Sequence, residues 1–146
     1  DRVTSLAIEK LLPRRLTIAD IGCGTGTLSF ELARFAQHVI GIDLSKEMLR
    51  RARALANERA IKNVEFRQGD ALKLPLSRAS VDAVFSVMVL HFLAEPERAI
   101  IELCRVTRPG GSVILVDLVQ HNQTWMREQM AHQWLGFDHS TIEKCF

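Results

Sequence analysis

The stretch "IADIGCGTGT", Ile18 to Thr27, sets one acid and three glycines at alternate positions, Asp20, Gly22, Gly24 and Gly26, behind an apolar run. A strand that runs into a glycine turn and then a helix N-terminus builds a place where main-chain N–H groups meet a ligand. Glycine suits that turn because it takes positive φ and leaves room for a nucleoside or a carboxylate to lie against the backbone. The same pattern also makes plain tight corners. A second acid, Asp43, closes the apolar run "HVIGID", the position from which doubly wound folds hold two ribose hydroxyls. His91 follows the run "VDAVFSVMVL", and its expected place is the carboxyl edge at which open α/β sheets seat ligands. A histidine there is a candidate base or a pocket lining.

Spacing separates the ligand classes. The dinucleotide fingerprint is GxGxxG, whereas the glycines here fall as GxGxG with Thr27 in the sixth position, a pattern closer to a methyl donor than to a nicotinamide. No GK[ST] follows, which excludes a phosphate-cradling P-loop. Asp43 alone would serve NAD equally well. The three cysteines, Cys23, Cys104 and Cys145, form no CxxC pair, which argues against a disulfide framework and a zinc site and for a reducing, cytoplasmic setting. His121, His132 and His139 lack the i, i+4 spacing that lets two imidazoles share a metal.

Elements that would position these groups alternate between apolar runs and helix-period stretches, the signature of a parallel sheet wrapped by helices. "LTIADI" precedes "LSFELARFA", in which Leu28, Leu32 and Phe35 fall at helical spacing. "HVIGID" precedes "SKEMLRRARALANERA", with Ser45 placed to cap and Glu47 in the first turn. "NVEFRQGDA" (Asn63 to Ala71) and "VDAVFSVMVL" (Val81 to Leu90) are expected inside the sheet, with a loop around Pro75 between them. A helix opens near Pro96 and is expected to end at Gly110 and Gly111, before a fifth strand "SVILVDLV". "HNQTWMREQMAHQWLGF" reads as one amphipathic helix stopped by Gly136, with Trp125, Met126, Met130 and Trp134 as a core or interface stripe.

The 146 residues, 47% hydrophobic and 25% charged, fit one globular domain. A chain that opens on Asp1 and stops at Phe146 behind a helix-like stretch is expected to be a piece of a longer protein. Nineteen Lys plus Arg against seventeen Asp plus Glu is too even to announce a nucleic-acid or anionic-membrane partner. The basic cluster from Arg50 to Lys62 suits a solvated helix face. No run long enough to span a membrane is present, and no signal peptide is visible.

Five motifs in order, "ADIGCGTG", "VIGIDLSKEML", "FRQGDALKLPL", "VDAVFSVMVLHFL" and "RVTRPGGSVILVD", resemble the successive motifs of class I S-adenosylmethionine-dependent methyltransferases, over roughly Thr17 to Leu118. The wording is most similar to small-molecule methyltransferases of the ubiquinone/menaquinone biosynthesis type. The tail "WMREQMAHQWLGF" resembles methyltransferase modules fused behind arsenical-repressor-like winged-helix domains.

The resemblance implies a three-layer, doubly wound, Rossmann-like α/β domain with a mostly parallel sheet, truncated after the fifth strand. It implies S-adenosylmethionine as cofactor and a small-molecule methyl acceptor. Asp20, Gly22, Cys23, Gly24 and Gly26 would face the methionine moiety, and Asp43 the ribose, with Leu44 and Met48 beside the nucleoside. Gly69, Asp70 and Ala71 would meet the adenine edge. Ser86 and Val87 would floor the site near the sulfonium, and His91 would face the acceptor. A sulfonium already makes the methyl electrophilic, so a base is optional, and His91 or His121 could supply it.

"SVMV" at Ser86 to Val89 departs from [DN]PP[YF], which disfavours methylation of nucleic-acid bases. Families of this type continue past the fifth strand into a helix and a hairpin, so strands truly absent here would leave the acceptor pocket incomplete. Two other functions fit part of the pattern: a non-catalytic S-adenosylmethionine sensor beside a fused or neighbouring domain, and an NAD-dependent oxidoreductase. A homodimer is compatible with each.

Overall fold

The computed structural model describes residues 15–145; residues 1–14 and 146 of the expected single domain lie outside them. In chain order the elements are β1 (Thr17–Ile21), α1 (Thr27–Ala33), β2 (His38–Asp43), α2 (Lys46–Glu58), β3 (Val64–Gln68), β4 (Val81–Val87), a 3-10 turn (Leu90–Phe92), α3 (Pro96–Val106), β5 (Thr107–Val116), α4 (Trp125–Met130) and α5 (His139–Glu143). The strands form one sheet in the order β3-β2-β1-β4-β5, every neighbouring pair parallel. Among the described residues the sheet is parallel throughout, as the doubly wound reading expects.

Alternation across β1 explains the layers. Ile18 packs with Leu32 of α1, Val39, Ala83 and Phe85 on one face, while Ala19 and Ile21 pack with Ile40, Ile42, Val84 and the α3 residues Leu103 and Val106 on the other. Strands covered on both faces bury most of their residues, as β1, β2 and β4 do. Helix α2 lays Leu49, Ala52 and Ala56 against Phe66 and Phe30. Ser45 caps α2 as expected, its Oγ accepting the Met48 N–H at 3.3 Å, and Pro96 opens α3. Asn63 closes α1 from a distance: its Nδ2 donates to the carbonyls of Ala33 at 2.8 Å and Ala36 at 3.1 Å.

Four expectations need correction. β3 is an edge strand, not an interior one, and its Glu65 and Arg67 flank the buried Phe66. The fourth strand stops at Val87 because Met88 turns to a φ of +59°. Gly110 and Gly111 do not end α3, which gives way directly to β5 at Thr107. They lie inside β5 where its register against β4 shifts, and a Cβ on Gly111 would stand 2.6 Å from the Asp82 carbonyl oxygen. The tail is not one helix: Ala131, at a φ of +55°, ends α4, and an irregular segment that includes Gly136 at a φ of +82° leads to α5. There Trp125, Met130 and Trp134 remain exposed, while His132 and Phe137 turn inward.

Candidate functional site

The strand order reverses between β1 and β4, so the loops leaving their carboxyl ends diverge and open a crevice. A cleft of about 370 Å³ occupies that point, lined by Ile21, Gly22, Ile42, Asp43, Leu44, Gly69, Asp70, Ala71, Met88, Val89, Phe92 and Leu93. The structure thus gathers Gly22, Asp43, Leu44, Gly69, Asp70 and Ala71 of the expected site on one wall. Asp20, Cys23, Gly24, Gly26, Met48, Ser86, Val87 and His91 do not line it.

The glycine loop is held mostly by its own amides. Gly22 and Cys23 both donate to the Ile42 carbonyl, at 2.7 and 3.1 Å, and Gly26 donates to Cys23 at 2.9 Å. Gly24 donates to Asp43 Oδ2 at 2.8 Å. These N–H groups are therefore spent within the fold rather than turned toward a ligand, contrary to the expectation from the motif. What the glycines supply is shape. Gly22, Gly24 and Gly26 have φ of +70°, +54° and +87°. A Cβ on Gly22 would meet Val89 Cγ2 at 2.3 Å, whereas one on Gly24 would point into open space.

Asp43 links two loops, since its Oδ1 accepts the Ser45 N–H at 2.8 Å while Oδ2 holds Gly24. Each carboxylate oxygen keeps a further lone-pair direction for a ligand donor. Asp70 braces its own turn by accepting the Leu72 N–H at 2.9 Å. Asp20 lies beneath the loop, 2% exposed, where it accepts the Ser29 hydroxyl at 2.6 Å. Desolvation pushes its carboxyl up to about 7, with Asp43 adding to the rise and Ser29 opposing it. The Cys23 thiol packs with Phe30, Leu49 and Phe66, and burial pushes its pKa far up, so it stays protonated. Met48 is exposed in the first turn of α2, and Ser86 is buried.

On the β4 side the wall is apolar: Met88, Val89, Phe92 and Leu93. His91 is 1% exposed, and its Nδ1 lies 2.7 Å from Asp117 Oδ1. Sequence reasoning missed Asp117, yet "VILVD" ends in an acid just as "VIGID" does, at the same edge of the sheet. His132 reaches the same place from the tail and packs against His91, ring centroids 4.2 Å apart and planes tilted by 47°. Burial lowers the His132 pKa, and His91 and His121 add to the lowering. Among the described residues no group of three His, Cys, Asp or Glu side chains could hold a metal ion.

Comparison with known proteins agrees with this geometry. The methyltransferase domain family matches residues 19–115. An arsenite methyltransferase of Halobacterium salinarum is 38% identical over 107 residues, covering 71% of this chain and 27% of the relative. A demethylmenaquinone methyltransferase of Lactococcus lactis is 38% identical over 105 residues, covering 70% of this chain and 42% of the relative. The chain thus spans less than half the length of either curated relative. The crystal structure of the YcgJ protein from Bacillus subtilis superposes with a TM-score of 0.88 at 26% identity, over 99% of this chain and 65% of that one. With five motifs in order, a parallel sheet that reverses beside β1, and a family match across most of that sheet, the chain belongs to the class I S-adenosylmethionine-dependent methyltransferases.

Proposed function

We propose that this domain binds S-adenosylmethionine in the cleft at the β1/β4 switch point and transfers its methyl group to a small molecule. The observation that carries the reading is the chemistry of the cleft wall: it holds two acids, Asp43 and Asp70, and no Lys or Arg. A cationic sulfonium with a diol suits such a wall. A dinucleotide does not, because its pyrophosphate would lie beside two carboxylates with no cation on the wall.

In this reading Asp43 receives the ribose hydroxyls on its remaining lone pairs, with Leu44 and Met48 beside the nucleoside. Gly69, Asp70 and Ala71 meet the adenine edge. Gly22, Cys23, Gly24 and Gly26 present main chain to the methionine moiety, with Asp20 buried as the anchor of that loop. Ser86 and Val87 support the floor on which Met88 and Val89 stand. Bound there, the cofactor supplies an electrophilic methyl, and what remains for the protein is to align the acceptor in line with it and keep water away. The apolar face of Met88, Val89, Phe92 and Leu93 does that for a small acceptor without charge. The H. salinarum relative is named for arsenite, but no cluster of three thiols is available among the described residues here to hold arsenic.

Calorimetry with S-adenosylhomocysteine and with NAD tests the proposal. Binding of the first and not the second is expected; NAD binding without S-adenosylhomocysteine binding overturns it.

A further inference from the structure

We propose that Asp117, at the carboxyl end of β5, is a positioning residue of the acceptor wall, acting through His91 on the turn that carries Phe92 into the cleft. The carboxylate is a junction for three donors. Its Oδ2 accepts the Leu90 N–H at 2.8 Å, and its Oδ1 accepts the Leu118 N–H at 2.8 Å and faces His91 Nδ1 at 2.7 Å. An ionised carboxylate only accepts, so the proton between the pair sits on Nδ1. That bond fixes both the tautomer and the plane of the ring.

The ring in turn seats two others. Phe92 packs on it at 4.1 Å between centroids and His132 at 4.2 Å, while Phe92 and His132 meet edge to face at 5.0 Å. The His91 carbonyl accepts the N–H groups of Gln133 at 2.8 Å and Trp134 at 3.0 Å, which ties the tail to the same turn. Phe92 is 46% exposed and lines the cleft; His91 does neither. The charge on Asp117 therefore reaches an acceptor through the placement of Phe92. Among the described residues, the titratable groups around this pair are His132 from the tail, with His121 near it, and His139 and Glu143 of α5, which line a cavity with Asp117.

Asparagine at this position cannot serve all three donors. Whichever way its amide turns, an NH2 faces either the Leu90 N–H or the two donors on the other side. In Asp117→Asn we expect imidazole nitrogen NMR to show His91 losing its Nδ1–H tautomer, and the Gln133 and Trp134 amides to exchange at least tenfold faster. S-adenosylhomocysteine affinity should stay within threefold. The acceptor arm rests on the methyl-transfer reading and uses catechol and thiophenol as probe acceptors. For these, KM should rise about tenfold with kcat and its pH profile nearly kept, and Phe92→Leu should reproduce that KM change with the His91 tautomer intact.

Three results would overturn the proposal: an unchanged tautomer with unchanged exchange, a hundredfold fall in kcat with loss of a pH limb at constant KM, or a Phe92→Leu variant with wild-type KM. The second outcome would make His91 a base. If Asp117→Asn does not fold, His91→Phe keeps the ring stack without Nδ1 and is expected to raise KM and amide exchange alike; wild-type values in it overturn the proposal as well. Absence of S-adenosylhomocysteine binding by the wild-type chain sinks the cofactor reading instead, and the tautomer and exchange measurements still decide the coupling.

Discussion

Ser29 Oγ donates a 2.6 Å hydrogen bond to Asp20 Oδ2 beneath the glycine loop, and both side chains are buried. Desolvation raises the Asp20 carboxyl from 3.8 to about 7, so the folded chain holds that proton more tightly than the unfolded one. Its contribution to stability is complete below about pH 4 and is lost as pH rises to about 7. At about 1.4 kcal/mol per pH unit the loss is on the order of 4 kcal/mol. Asp20→Asn keeps an acceptor for Ser29 and removes the titration. Urea unfolding at about pH 4.5 and about pH 7.5 should differ less in the variant than in wild type by that order. Equal pH sensitivity in both would refute the assignment.

Asp43 tethers two loops, and on the proposed reading it also holds the ribose. Asp43→Ala should weaken S-adenosylhomocysteine binding by roughly 1 to 3 kcal/mol, and because the Gly24 and Ser45 amides also lose their acceptor, melting should fall by several degrees. Calorimetry and thermal melts read the two separately. Unchanged affinity with a lowered melting temperature would leave Asp43 as a tether alone.

The glycines divide by what surrounds them. Gly22→Ala drives a Cβ into Val89, whereas Gly24→Ala meets nothing and pays only for its positive φ, about 1 to 2 kcal/mol. Val89→Ala should therefore restore part of the stability lost by Gly22→Ala and none of that lost by Gly24→Ala. A double-mutant cycle showing no coupling between Gly22 and Val89 would contradict the close approach.

Asn63→Ala removes two bonds, to the carbonyl of Ala33 at the end of α1 and to that of Ala36 just beyond it, and should cost about 1 to 3 kcal/mol in denaturant unfolding, with S-adenosylhomocysteine affinity unaltered. A cost near zero would mean that water replaces the amide there.

Much of the donor half was legible because its signals are local. An apolar run, an acid at its end and a glycine turn each lie within a few residues, which makes Gly22 and Asp43 readable as one edge, whereas Asp70 follows only from the family resemblance. The acceptor half depends on partners far apart in sequence. Met88 faces the cleft only because the chain breaks out of β4 at a positive φ, and the Asp117–His91 pair joins positions 26 residues apart. The tail misled for a related reason: its Trp and Met spacing is helical, but Ala131 breaks the helix and backbone bonds to His91, Leu118 and His121 take its place. In β3 the polar Glu65 and Arg67 alternate with the buried Phe66, the pattern of a strand at the sheet's edge rather than of one covered on both faces.

The position of β1 at the centre of the sheet governs how the protein is built in time. The first of the five strands to leave the ribosome finds β2 within about twenty residues, but its other flank stays open until β4 has been made, and the Thr17 amide finds the Asp82 carboxylate 65 residues later. Loop closure of that length must precede the reward of the pairing, so folding waits on a non-local event. Core truncations in β4, such as Phe85→Ala, are then expected to slow refolding, whereas those in β3 chiefly speed unfolding. Until β4 arrives, the nascent chain exposes one edge of its central strand, the interval in which a chaperone has most to do.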